Sequence, residues 1–170
     1  MTTRTARSPR KLIAAVTLAA AAASLLSGCA TAVSLDPGAA ANDADCAYIT
    51  VALPQTVAGL PKRDTDAQAT GAWGSPASIL LRCGVEVPGP TTLECTNVNG
   101  VDWIIDDTDA PNYTFTTYGR DPAVQVVVDS DVTLGSTALV DLEPAISNAP
   151  DAPFTACVGV DEVEIPDTTE

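Results

Sequence analysis

The chain has 170 residues, 46% of them hydrophobic and 4% aromatic, with 8 basic and 22 acidic side chains, no histidine and a formal net charge of −14. That length fits one domain. So acidic a chain repels nucleic acid and anionic headgroups, and the missing histidine removes the commonest catalytic base.

The charge is unevenly placed. Arg4, Arg7, Arg10 and Lys11 lie in the first eleven positions, and no acid precedes Asp36. Residues 12–26 are apolar, mostly Ala and Leu, and lead into Leu26-Ser27-Gly28-Cys29. This is the three-part layout of a secretory signal peptide. Its apolar run is shorter than the roughly 20 residues a membrane span needs. A leucine, two small residues and a cysteine match a bacterial lipobox, in which the cysteine is lipidated and becomes the first residue. Residues 1–28 are therefore expected to be removed. Cys29 is expected to carry at least a diacylglycerol, and two acyl chains anchor stably where one does not. The expected location is the extracytoplasmic face of the cell membrane, with the lipid bilayer as partner through Cys29. The mature chain would then set 22 acids against Lys62, Arg63, Arg82 and Arg120, a net of −18.

Residues 29–43 read as the lipidated cysteine and a flexible tether, because Ala30 to Asn42 is Ala-rich and without period. Extended, it would reach about 45 Å and lift the domain off the lipid. The domain itself is expected over 44–160, with an acidic tail over 161–170. Asn42 and Asp43 suit a helix N-cap, and Cys46, Ile49 and Leu53 recur at helical spacing before Pro54, predicting a helix over 44–53. Residues 62–71 read as an edge strand or a loop. Ile79-Leu80-Leu81, between the Trp73-Gly74-Ser75-Pro76 turn and Pro88-Gly89-Pro90, reads as the central buried strand. Leu93 to Val98 and Val101 to Ile105 flank Asn99-Gly100, a strong hairpin signal. Tyr113 to Tyr118, Ala123 to Val128 and Ala138 to Leu142 read as further strands, and Pro144 opens a short second helix. The fold class is α+β: a mostly antiparallel sheet of five or six strands, a short N-terminal and a short C-terminal helix, and two disulfides.

With Cys29 assigned to lipid, Cys46, Cys83, Cys95 and Cys157 remain, and an exported compartment permits disulfides. Three pairings exist. The favoured one joins Cys83 to Cys95 across a short loop and Cys46 to Cys157 near the ends of the domain, with the other two open.

Leu53-Pro54, Ala72-Trp73-Gly74, Leu81-Arg82-Cys83-Gly84-Val85, Gly100-Val101-Asp102-Trp103 and Tyr118-Gly119-Arg120-Asp121-Pro122-Ala123-Val124 follow in order behind the lipobox. As an ordered set they resemble an actinobacterial family of secreted lipoproteins catalogued as domain of unknown function 3515. The resemblance covers about residues 45–157. It implies location and a disulfide-bonded domain, and transfers no catalytic residue and no cofactor.

Chemistry is thinly signalled. Asp106, Asp107 and Asp109, and Asp129 and Asp131, read as solvated turns rather than calcium ligands, since neither cluster fits an EF-hand loop. No metal, cofactor or catalytic residue is expected. Arg82 within an apolar strand is expected to pair with an acid such as Asp102. If a small anionic ligand is bound, Arg120 is the first candidate to read it, with Arg82 and beside Trp103 or Tyr118, because guanidinium grips carboxylate or phosphate bidentately. The reading is a non-catalytic binding or accessory module of the cell envelope, its partner an envelope protein or that ligand. Its alternatives are a structural surface module or a carboxylate-dependent hydrolase.

Overall fold

The computed structural model describes residues 31–150 and Cys157. The order of elements is α1 (Ala44–Ala52), β1 (Thr56–Val57), β2 (Leu60–Arg63), β3 (Thr70–Trp73), β4 (Ile79–Val85), β5 (Glu94–Val98), β6 (Val101–Asp106), β7 (Asn112–Tyr118), β8 (Ala123–Asp129) and α2 (Gly135–Ile146). The strands form one sheet of eight, in the order β1-β2-β3-β4-β8-β7-β6-β5, and every neighbouring pair is antiparallel.

The class is α+β, but the sheet has eight strands rather than five or six. The extra strands, β1 to β3, are two to four residues long. Such stretches are too short to display the alternation that marks a strand. The expected strand over Ala138–Leu142 is instead the middle of α2, and Pro144 lies inside that helix rather than at its start. A proline there removes the hydrogen bond to the carbonyl of Val140, and Val140 is exposed, so water can satisfy that oxygen.

Asp43 caps α1, accepting a hydrogen bond from the Asp45 N–H at 2.8 Å. The β5–β6 hairpin forms where Asn-Gly predicts it: Val98 pairs with Val101, and Asn99 and Gly100 both take positive φ. The register sets the core. Ile79 and Val128 share one row with Tyr113, and Leu81, Val126, Phe115, Ile105 and Glu94 form the next. Cys83, Val124, Thr117, Trp103 and Thr96 form the third. These rows face Ile49 of α1 and Ala138, Leu139, Leu142 and Ile146 of α2, which are buried with them in one cluster. Trp73 is fully buried, and its Nε1 donates to the Pro54 carbonyl at 3.0 Å.

All four expected cysteines are bridged, but in a different pairing: Cys46 to Cys83 and Cys95 to Cys157. Strand order is the reason. β8, β7 and β6 separate β4 from β5, so Cys83 and Cys95 lie four strand spacings apart, about 19 Å. A disulfide spans Cα atoms only about 4.4–6.8 Å apart.

The stretch expected to be a tether is seated on the domain. Val33 makes a parallel bridge with Thr65: its N–H donates to the Asp64 carbonyl at 2.8 Å, and its carbonyl accepts from the Asp66 N–H at 3.2 Å. The Leu35 N–H donates to the Asp66 carboxylate at 3.0 Å, and the Ala40 N–H to the Gly84 carbonyl at 2.8 Å. Ala41 is buried. Small residues here serve close approach rather than flexibility: a Cβ on Gly38 would lie 2.5 Å from the Cys83 carbonyl oxygen.

Candidate functional site

The four residues expected to hold an anion do not converge. Side chains alternate across a strand, so Arg82, Gln125 and Thr116 project from the face opposite Cys83, Val124, Thr117 and Trp103. Arg82 donates to Gln125 Oε1. The expected Arg82–Asp102 pair is not made. Asp102 is three strands away on β6, where it accepts from Asn97 Nδ2 at 2.6 Å and from the Cys157 N–H at 2.8 Å. Trp103 is fully buried on the helix-covered face, and its Nε1 has no hydrogen-bond partner among the described residues. Tyr118, opposite Asp102, projects with Arg82. Arg120 is buried, its Nη1 donating to the Ala149 carbonyl at 2.6 Å just beyond α2. The bond ties the chain three residues past the end of α2 to the turn that carries Arg120. That placement gives Arg120 a structural task.

The aspartate clusters form turns. Asp106 accepts from the Thr108 hydroxyl at 2.7 Å and the Thr108 N–H at 3.0 Å, and those two bonds hold its carboxyl below the usual value of 3.8. Asp129 accepts from the Asp131 N–H at 3.0 Å. Among the described residues no group of three or more metal-binding side chains converges.

A concave site does form elsewhere. Where α2 begins, it leaves a cleft of about 380 Å³ over the ends of β5, β6, β7 and β8. Its floor is apolar: Ile105, Tyr113, Phe115 and Val128. Leu134, Gly135 and Ser136 form one wall, and Ser130 and Glu94 supply further polar groups. Gly135 allows the helix to start this low, since a Cβ there would lie 2.4 Å from the Phe115 ring. Leu134 precedes the helix and offers no side-chain cap, so the first-turn N–H groups are not satisfied in that way. Leu93, Val132 and Leu134, all close in sequence to lining residues, are exposed. Volume, apolar floor and a few polar groups are those of a small-ligand site. Among the described residues, Glu94 is the one carboxylate that lines it.

The sequence reading missed this cleft because it took residues 138–142 as a strand. The helical signal was present: Ala138, Leu139, Leu142, Ala145 and Ile146 recur at helical spacing and are the buried residues of α2.

Residues 9–154 match the family described as protein of unknown function (DUF3515). The chain belongs to that family. No curated protein and no solved structure matches it. For this DUF3515 member, function has to be argued from the cleft, the cysteines and the N-terminal pattern. Among the described residues, no helix is long and apolar enough to cross a membrane.

Proposed function

We propose that this protein is a lipid-anchored, extracytoplasmic module of the bacterial envelope that binds a ligand or partner without catalysing a reaction. The observation that carries the reading is the fate of the cysteines. Four of the five bridge to one another inside the domain, and the odd one is Cys29, at the end of a basic, then apolar, then small-residue sequence. Bridged cysteines suit an exported domain, and a lipobox accounts for the fifth.

The binding part of the reading rests on the cleft at the start of α2. Its floor of Phe115, Tyr113, Ile105 and Val128 suits an apolar or aromatic group, with Ser130, Ser136 and Glu94 placed to hydrogen-bond a polar end. Among the described residues, no basic side chain lines it. A ligand with an apolar body and a neutral or donor-rich end fits better than the anion first expected.

Two experiments test the two parts. Cys29→Ser in a chain whose residues 1–28 are exchanged for a conventional cleavable secretory leader should move the protein from the membrane fraction to the soluble extracytoplasmic fraction, and membrane retention equal to the parent's would refute the anchor. A photo-crosslinking residue in place of Leu134 should capture an envelope component in intact cells. Adducts identical to those from a probe at exposed Gln55, between α1 and β1, would refute a site at the cleft.

A further inference from the structure

We infer that the domain lies directly on the bilayer, held there by a surface made of the Asp64–Ala69 loop and the exposed side of α1, with its cleft turned away from the lipid. The inference rests on the proposed lipidation of Cys29 and adds to it an orientation and a contact surface.

The first argument is chain length. Val33 is hydrogen-bonded on both sides to the β2–β3 loop, through Asp64 and Asp66. Only Ala30, Thr31 and Ala32 separate it from Cys29. Four residue steps reach about 14 Å at full extension. A lipidated Cys29 therefore keeps the Asp64–Ala69 loop within about 14 Å of the lipid attachment, about two headgroup layers. The docked segment continues to Ala40 on Gly84 before α1 begins, so α1 starts on the same side of the domain.

The second argument is independent of the anchor. Val51 and Tyr48 of α1 are 88% and 66% exposed, and Val51 is the most exposed large hydrophobic side chain described. Being three residues apart, they share a helix face. Val51 also lines a shallow depression together with Gln68 and Ala69 of the β2–β3 loop. The apolar patch thus adjoins the loop that the anchor reaches. An aromatic ring with a polar tip beside an aliphatic residue suits the membrane–water interface. The neighbouring acids Asp36, Asp43, Asp64 and Asp66 are exposed, which favours zwitterionic over anionic headgroups.

The sheet register places the cleft at the far side. Thr65 follows β2 near the level of Arg82, and Gly84 lies beyond it, whereas the cleft spans the rows of Ile79 and Leu81. From β2 to β7 the sheet takes four strand spacings, so the separation is about 20–25 Å.

The mature chain carries a single lysine, Lys62, in β2 next to the anchoring loop. An amine-reactive donor dye therefore labels the anchor side of the otherwise unaltered lipidated protein. With the Cys29 α-amine first blocked by acetylation near neutral pH, where lysine stays largely protonated, the Lys62→Gln, Val132→Lys double variant moves the label to the cleft side, at a residue already exposed. Both proteins are reconstituted into phosphatidylcholine vesicles carrying an acceptor on the headgroups. Energy transfer from position 62 should exceed that from position 132 by about twofold or more, given a separation comparable to a protein domain's width. A ten-residue Gly/Ser insertion between Thr31 and Ala32, combined with Tyr48→Ser and Val51→Ser at residues already exposed, should lower transfer from Lys62 toward the value at 132. Equal transfer from the two positions, or no effect of that combined variant, would overturn the orientation while leaving the anchor intact. Failure of the full-length protein to associate with vesicles would overturn the anchor, and the orientation with it.

Discussion

Arg120 shows how a candidate ligand-binding side chain becomes structural. Its guanidinium is buried and donates to the Ala149 carbonyl, so it fixes the chain just after α2 against the β7–β8 turn. Removing it leaves a carbonyl without its charged donor, a loss of about 1.5–3 kcal/mol. Arg120→Ala should therefore lower the urea midpoint with little change in slope, and a midpoint equal to the parent's would return Arg120 to the list of ligand-binding candidates. Asp66 has a different task, holding the segment that follows Cys29. The Leu35 N–H, and then the Ser34 hydroxyl, hold its carboxyl below the usual value of 3.8. A carboxyl whose folded value is depressed stabilises the folded arrangement above its ordinary value, and that contribution is lost as pH falls through the lowered one. The Leu35 amide resonance should thus titrate with a midpoint below pH 3.8. A midpoint at or above that value would show that the bond does not form in solution.

At the scale of elements, the bulge in β4 is where two features meet. Register shifts between Cys83 and Val85, leaving Gly84 unpaired at φ +77°, and its carbonyl accepts the Ala40 N–H. Gly38 packs against the same bulge through backbone alone. Gly38→Ala should loosen residues 33–41 and speed proteolysis there while the disulfide-bonded core persists. Cleavage as slow as in the parent would mean the contact yields without cost. The two disulfides differ in access. Cys46 and Cys83 are both fully buried, whereas Cys95 and Cys157 are half-buried. Limited dithiothreitol followed by alkylation and mass mapping should mark Cys95 and Cys157 first, and simultaneous labelling of all four would contradict the burial. What could be read from the sequence follows the same division. Local signals were legible: the Asp43 cap, the Asn99-Gly100 turn and the apolar run of β4 each act within a few residues. The cysteine pairing was not, because it depends on β5 lying three strands beyond β4's neighbour, a matter of strand order rather than spacing. The cleft is not legible either, because its wall is α2, a helix whose short apolar centre, Ala138 to Leu142, reads equally as a strand and whose Pro144 reads as a helix start.

For the whole molecule, charge and anchoring pull against each other. The chain proposed to remain after cleavage carries a net of −18, and four exposed acids surround the surface proposed to meet the lipid. Acyl chains hold the protein down whatever its charge, while anionic headgroups push the domain away within a Debye length. That length is about 30 Å at 0.01 M salt, comparable to the domain, and about 3 Å at 1 M. On vesicles rich in phosphatidylglycerol at low salt, the domain should therefore tilt or lift to the limit that Ala30 to Ala32 allow. Energy transfer from Lys62 should be lower there than on phosphatidylcholine, and the two should converge as salt rises. The unlipidated Cys29→Ser chain, its residues 1–28 exchanged for a conventional secretory leader that is cleaved off, should not sediment with phosphatidylglycerol vesicles at low salt. Transfer independent of both headgroup charge and salt would show that the apolar contact of Tyr48 and Val51, rather than electrostatics, sets how closely the domain rests on the membrane.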